Sequence, residues 1–103
     1  MSLFGEKIKY LRELDGLLQR DVAQKLAIDA PMLSKIESGE RNAKREQVTI
    51  LSELFKQTEN DFLAIWLADK VYNIVQNEEV AEKAIQLAEY ELKKTVKKRK
   101  PIK

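Results

Sequence analysis

Positively charged side chains are concentrated in two parts of the sequence. One is the segment 41–45, and the other is residues 93–103, which carry seven Lys or Arg residues and no acid. Guanidinium and ammonium groups at this density bind phosphate oxygens, and such binding weakens steeply as salt rises. A run of like charge is also typical of a solvated chain end, so the terminal run has two interpretations. Residues 1–92 are acidic overall, with 12 basic and 17 acidic groups.

The sequence contains no cysteine and no histidine. Disulfides, thiolate nucleophiles, zinc fingers and imidazole acid–base catalysis are therefore excluded. Acidic residues cluster at Glu78, Glu79 and Glu82, but a predicted helix begins there, and carboxylates favour a helix N-terminus. No nucleophile, glycine-rich phosphate loop or metal-ligand spacing lies near them. The sequence predicts a protein that is not an enzyme and that uses no metal or cofactor.

Length and composition favour a small folded protein. The 103 residues are 44% hydrophobic and 35% charged, which is enough apolar material for one core with an appended element. The sequence begins MSLFGEKIKY, without a basic segment followed by an apolar run. No stretch approaches the roughly 18 apolar residues of a membrane span. We therefore expect a cytoplasmic protein.

The pattern of apolar residues predicts an all-α fold. Three glycines and two prolines occur, and no run of β-branched residues alternates with polar ones. The first predicted helix runs from Leu3 to Asp15, and the second begins near Gln19. A third helix follows Asp29, whose carboxylate is a good N-cap, and ends at Gly39.

Three further helices are predicted after the polar loop 40–44. The fourth has apolar residues on one face, the fifth covers residues 59–76, and the sixth begins after Asn77, a candidate N-cap. The fifth helix is apolar on more than one side, which predicts that more than one surface covers it. Phe62 and Trp66 within it are also explained as ordinary core residues.

The second and third helices are joined by a short turn. The residues that define the pattern are Gln19, Val22, Ala23, Ala27, Ile28, Asp29, Leu33, Ser34, Ile36, Glu37, Gly39 and Arg41. Small side chains lie where such helices cross, and branched ones lie where they face the core. Over residues 4–66 the pattern resembles the helix-turn-helix of the XRE-like and phage-repressor (Cro/C1-type) transcriptional regulators. The resemblance implies an all-α, five-helix lambda-repressor-like DNA-binding domain, to which this chain adds a C-terminal helix.

The resemblance also implies which residues contact DNA. In this family the third helix enters the major groove, and the matching positions are Ala30, Pro31, Met32, Ser34 and Lys35. Lys35 is the candidate donor to guanine acceptors, whereas the apolar residues at the helix start would favour thymine methyl groups. The positions that match phosphate contacts are Gln19, Arg41, Asn42, Lys44 and Arg45. Such contacts position a protein on DNA without specifying sequence.

Other positions of the resemblance concern stability. Arg12 and Glu37 match a structural ion pair that ties the first helix to the end of the third. Leu18 replaces the usual Ser or Thr N-cap of the second helix, Ala27 stands where glycine is frequent, and Ala43 stands where proline is frequent. None of these departures removes a DNA-contacting side chain, so they affect stability and turn geometry rather than binding.

The apolar fifth and sixth helices favour self-association. We divide the chain into a DNA-binding domain (residues 1–66), a helical dimerisation extension (67–95) and a basic tail expected to be flexible (96–103). The candidate dimer-interface residues are Ile65, Trp66, Tyr72, Ile85 and Ala88. A dimer would place two recognition helices one DNA turn apart on an inverted repeat.

The sequence thus predicts a homodimeric, sequence-specific binder of double-stranded DNA. We expect it to be associated with the nucleoid and to act as an autoregulatory repressor or as the controller of a restriction–modification or phage-like operon.

A second hypothesis gives the same helices a different partner. An antitoxin would bind a toxin through the fifth and sixth helices, and Trp66 and Tyr72 are residue types enriched at interfaces. A homodimer in isolation favours the regulator, whereas instability without a partner protein favours the antitoxin.

Overall fold

The computed structural model describes residues 2–98 and contains six helices in that range. They are α1 (Leu3–Leu14), α2 (Gln19–Lys25), α3 (Ala30–Ser38), α4 (Arg45–Leu54), α5 (Glu59–Val75) and α6 (Ala81–Lys98). The described residues contain no strand, so the all-α prediction is confirmed. Within the same range, no helix has both the length and the apolar character needed to cross a membrane.

Local sequence signals set several helix ends. Ser2 accepts a hydrogen bond from the N–H of Gly5 (2.8 Å), and Asp29 accepts one from the N–H of Met32 (2.8 Å). Both side chains therefore act as N-caps, of α1 and α3 respectively. At the end of α3, Gly39 has a φ of +87°, a left-handed conformation that glycine adopts without steric cost.

The hydrophobic core is formed by α1 to α5 and the loop before α4. Its buried members are Phe4, Ile8, Leu11, Val22, Ala23, Leu26, Leu33, Ile36, Ala43, Val48, Leu51, Phe55 and Phe62. The rings of Phe4 and Phe62 meet edge to face with their centroids 5.7 Å apart, which packs α1 against the start of α5. A Cβ atom at Gly5 would lie 2.5 Å from the carbonyl oxygens of Ile36 and Glu37. Glycine is thus what lets α1 approach the end of α3.

A side chain from α5 holds the N-terminus of α1. Asp69 is 8% exposed and accepts hydrogen bonds from the N–H groups of Leu3 (2.8 Å) and Phe4 (3.0 Å). First-turn N–H groups have no acceptor within their own helix, and a carboxylate there also interacts favourably with the helix dipole. Because of this contact, α5 belongs to the unit built on α1 as far as Asp69, beyond the predicted domain end at residue 66.

The chain divides into two compact units between Val71 and Tyr72, inside α5. In the first unit, Leu67 and Val71 are 46% and 47% exposed, so the apolar surface of α5 is not fully covered. In the second unit, every residue from 82 to 96 is exposed. The prediction that α5 carries more apolar surface than one core covers is consistent with this exposure.

Two predicted boundaries in the second unit are corrected. Asn77 does not cap α6, because the chain first makes a turn, in which the N–H of Ala81 donates to the carbonyl of Glu78 (3.2 Å). The helix also continues to Lys98, so residues 96–98 of the predicted flexible tail are helical. Lys93 and Lys94 lie 3.9 Å from Glu89 and 3.1 Å from Glu91, one turn earlier, which reduces repulsion among the lysines. The rest of the predicted tail lies outside the described residues.

Candidate nucleic-acid interface

The turn between α2 and α3 is closed by backbone hydrogen bonds. The N–H of Ile28 donates to the carbonyl of Ala23 (3.0 Å), and the N–H of Ala27 donates to that of Gln24 (3.2 Å). Ala27 has a φ of +57°, in the left-handed region that residues with a Cβ atom rarely adopt. The turn that orients α3 is therefore formed at the cost of local strain.

The start of α2 compensates for the lack of a polar N-cap. Leu18 has no side-chain acceptor, but the carboxylate of Asp21 accepts a hydrogen bond from the N–H of Leu18 (2.8 Å). The next residue, Gln19, is half-buried and donates from Nε2 to Oε1 of Glu37 (3.0 Å). This hydrogen bond fixes the orientation of the side chain that the sequence assigned to a phosphate.

Glu37 forms the centre of a buried hydrogen-bond network. Its Oε2 accepts from Nε of Arg12 (2.8 Å) and its Oε1 from Nη2 (3.2 Å), while Nη1 of Arg12 donates to the carbonyl of Leu17 (2.9 Å). Arg12 and Glu37 are 9% and 6% exposed. The hydrogen bond to Glu37 raises the pKa of Arg12, although burial acts in the opposite direction. One guanidinium thus joins α1, the loop after it and the end of α3.

The positions that the sequence assigned to base contacts differ in exposure. Pro31, Ser34 and Lys35 are exposed, whereas Ala30 and Met32 are half-buried. The opposite side of α3 is buried in the core, so the helix cannot rotate to present another face. The accessible surface of α3 is therefore small and carries one long cationic side chain, that of Lys35.

A basic loop lies beside α3 and is anchored at its centre. Ala43 is 4% exposed, and its carbonyl accepts a hydrogen bond from Nε1 of Trp66 (2.8 Å). The N–H of Arg41 donates to the carbonyl of Lys35 (3.2 Å), which joins the loop to α3. Around this fixed backbone the exposed residues are Arg41, Asn42, Lys44 and Arg45. The loop thus presents its polar side chains from a defined position.

The N-terminus of α4 has an unusual charge distribution. Lys44 is its N-cap residue and Arg45 its first residue, although cations are unfavourable at the positive end of a helix dipole. The carboxamide oxygen of Gln47 accepts from the N–H of Lys44 (2.8 Å), and Glu46 in the first turn offsets part of the charge. A bound anion would remove the remaining repulsion, so this arrangement suits a phosphate group.

Several of the predicted residues lie next to one another. Met32 of α3 and Asn42 and Lys44 of the loop line the same groove, which places candidate base and phosphate contacts side by side. Among the predicted dimer residues, Ile65 and Trp66 are half-buried and pack against the core. Their packing within one chain explains them without a partner.

The three other predicted dimer residues, Tyr72, Ile85 and Ala88, are exposed. They belong to the second unit of the chain. A dimer interface through any of the five residues stays a prediction.

Sequence reasoning missed three positioning residues. Asp69 caps α1, Gln47 caps α4, and the indole N–H of Trp66 holds the basic loop. A glutamine at the third position of a helix is a recognisable capping signal. Asp69 inside the apolar α5 was also recognisable, because an acid is rarely buried unless it has a partner. The partner of the Trp66 indole had no sequence signal.

A protein-family model described as Helix-turn-helix matches residues 8–62, just over half of the 103-residue chain. The chain belongs to the XRE-like helix-turn-helix family. Comparison with curated proteins and with solved structures found no match. This XRE-like protein is a DNA-binding helix-turn-helix regulator from a non-enzymatic family. The six helices of residues 2–98 fit an all-α lambda-repressor-like fold with an extra C-terminal helix.

Proposed function

We propose that this XRE-like protein is a sequence-specific transcriptional regulator that binds double-stranded DNA as a homodimer on an inverted repeat. The exposed face of α3, with Ser34 and Lys35, lies beside a basic loop that Trp66 anchors, and this juxtaposition carries the proposal. In a bound complex α3 lies in the major groove, and the loop follows the phosphates at its edge.

Base recognition in this complex rests mainly on Lys35. Its ammonium group donates to the O6 and N7 acceptors of a guanine, while Pro31 and the half-buried Ala30 and Met32 contact thymine methyl groups. Half-burial limits how many base edges the start of α3 reaches. DNA shape and deformability therefore supply part of the specificity.

Phosphate binding comes from both sides of α3. On one side, Nε2 of Gln19 has a second hydrogen besides the one directed at Glu37, and a phosphate oxygen accepts it. On the other side, the phosphate-binding residues are Arg41, Asn42, Lys44 and Arg45. Arg12 balances the charge of Glu37, which would otherwise repel the phosphate near Gln19. The ion pair thus stabilises the fold directly and assists phosphate binding indirectly.

Dimerisation is assigned to the C-terminal extension. The proposed dimerisation element is the second unit of the chain, which begins at Tyr72, and its exposed interface candidates are Tyr72, Ile85 and Ala88. The protein would repress its own gene or control a restriction–modification or phage-like operon, and it would lie in the cytoplasm on the nucleoid when bound.

Selection of bound sequences from random double-stranded DNA at near-physiological salt tests the proposal. We expect an enriched site with two-fold symmetry and half-sites one helical turn apart. Lys35→Glu should abolish enrichment, whereas Lys25→Glu, an exposed lysine on α2 outside the proposed interface, should leave it intact. No enriched site, or a site without two-fold symmetry, would contradict a dimeric sequence-specific regulator.

An antitoxin is the second candidate, because apolar surface near the end of α5 is exposed. Tyr72 and Ile74, both in the second unit, are 58% and 76% exposed. In this alternative a toxin covers that surface. Sedimentation analysis of the isolated protein discriminates: a stable homodimer favours the regulator, and a protein that is unstable until it is co-expressed with a partner favours the antitoxin.

A further inference from the structure

One side of α6 is an apolar stripe that is exposed except at the half-buried Ala81. The stripe consists of residues three or four positions apart, namely Ala81, Ile85, Ala88, Leu92 and Val96. Ile85, Leu92 and Val96 are 44%, 59% and 60% exposed. A helix of this length is marginal in water without a surface that covers its apolar side. We therefore expect another surface to cover the stripe.

The charge along α6 changes sign from its start to its end. Glu78 and Glu79 precede the helix and Glu82 lies in its first turn beside Lys83, so the start carries a net charge of −2. The end carries Lys93, Lys94, Lys97 and Lys98 together with Glu89 and Glu91, a net charge of +2. Two copies of α6 pointing the same way would place acids beside acids and lysines beside lysines. Two copies pointing opposite ways place the acidic start of each helix beside the basic end of the other. Charges that flank an apolar stripe commonly decide helix orientation in this way.

The spacing of the stripe also fits an antiparallel pair. Ala88 is its central residue, and Ala81 and Val96 lie at similar distances on either side of it. With Ala88 against its own copy, Ile85 of one helix faces Leu92 of the other, and Ala81 faces Val96. A small residue at the centre lets the two backbones approach, and longer apolar side chains fill the space on either side. Glu82 and Lys93, which border the stripe on the same side, then meet across the pair.

We propose that α6 pairs with the α6 of a second copy of this chain in an antiparallel arrangement centred on Ala88. This pairing specifies the interface of the homodimer, and the inference rests on the proposed function. We infer that the partner is a second copy of the chain for two reasons. The charges of α6 are complementary to those of a reversed copy of α6, and its apolar stripe is symmetric about Ala88.

Cysteine cross-linking of the full chain tests this orientation, since the sequence has no cysteine of its own. A disulfide requires Cβ atoms about 3.5–4.5 Å apart. In the antiparallel pair, Ala88→Cys meets its own copy, whereas two copies of Ala81→Cys are separated by about 21 Å, or 14 residues of helical rise. Leu87→Cys is the matched control, because its side chain is exposed on the other side of α6.

We expect Ala88→Cys to shift to a covalent dimer on oxidation, and Ala81→Cys and Leu87→Cys to stay uncross-linked. A mixture of Ala81→Cys and Val96→Cys chains, allowed to exchange before oxidation, should form a mixed covalent dimer.

Self-cross-linking of Ala81→Cys as readily as Ala88→Cys would show a parallel pair and overturn the inference. A dimer by sedimentation that no stripe cysteine cross-links would place the interface elsewhere, and the proposed regulator would stand. A monomer that selects a site without two-fold symmetry would overturn both.

Discussion

The two carboxylate oxygens of Glu37 accept hydrogen bonds from Arg12 and Gln19. Gln19 is the side chain that we propose binds a phosphate, and the charge of a nearby buried carboxylate would repel that phosphate unless a cation balanced it. Arg12 supplies that cation from α1, and the same guanidinium holds the carbonyl of Leu17. In the proposed complex, folding and DNA binding therefore depend on the same charge pair.

Removal of Arg12 should destabilise the protein strongly. Arg12→Ala leaves the buried Glu37 without its cation, and we expect the free energy of unfolding to fall by about 3–5 kcal/mol in urea denaturation. Because the pKa of Arg12 is raised on folding, this contribution is fully present below the unfolded-state pKa and is lost only in strongly alkaline solution.

Arg20→Ala is the matched control, because Arg20 is exposed on α2 and its loss should change stability by no more than about 0.5 kcal/mol. Equal effects of the two substitutions would show that the Arg12–Glu37 pair does not stabilise the fold.

Whether a contact could be predicted from the sequence depended on how far apart its two residues lie along the chain. Arg12 and Glu37 were paired through a family resemblance, not through spacing. Asp69 contacts N–H groups 65 and 66 positions away, and no local pattern reveals such a partner. Gln19 was assigned to a phosphate, but its hydrogen bond to Glu37 depends on how α2 crosses α3, which the sequence did not specify.

At the scale of elements, the turn before α3 contains a correctable strain. Ala27 has a φ of +57°, so Ala27→Gly should relieve about 1 kcal/mol of steric cost, partly offset by the greater freedom of glycine in the unfolded chain. We expect a small net gain in the free energy of unfolding. Ala64→Gly, at an exposed site inside α5, should instead lose about 1 kcal/mol. Losses of equal size at both positions would contradict a strained turn.

The contact between α5 and the start of α1 gives a second prediction at this scale. Asp69→Asn replaces one acceptor oxygen with an amide that cannot accept from the first-turn N–H groups, so stability should fall by about 1–3 kcal/mol. Hydrogen exchange of the Leu3 and Phe4 amides should accelerate more than exchange in the core. Asp15→Asn, an exposed carboxylate after α1, should alter neither quantity appreciably. Unchanged exchange at Leu3 and Phe4 in Asp69→Asn would show that the cap does not protect them.

The helices themselves were predicted with small errors at their ends. Apolar periodicity and capping residues such as Asp29 and Gly39 are local signals, and the structure follows them. Asn77 failed as a cap because a turn intervenes before α6, and a capping residue type does not determine where the first helical turn begins.

At the scale of the whole molecule, charge is divided unevenly along the sequence. The net charge of +2 combines acidic residues 1–92 with a strongly basic end. Composition and helical periodicity were enough to predict the all-α class. The surface proposed to cover α6 could not be predicted in the same way, because it would lie on a second chain.

In the proposed complex, α3 specifies the DNA sequence, whereas the loop before α4 positions the protein on the phosphates. The most direct measurement is the affinity of wild-type protein, Lys35→Ala and Lys44→Ala for the selected DNA site and its single-base-pair variants, at two salt concentrations. Lys35→Ala should lose discrimination at one base pair per half-site, worth about 1–3 kcal/mol. Lys44→Ala should weaken binding to all variants equally and reduce the salt dependence. Uniform weakening by Lys35→Ala, with discrimination intact, would contradict the account.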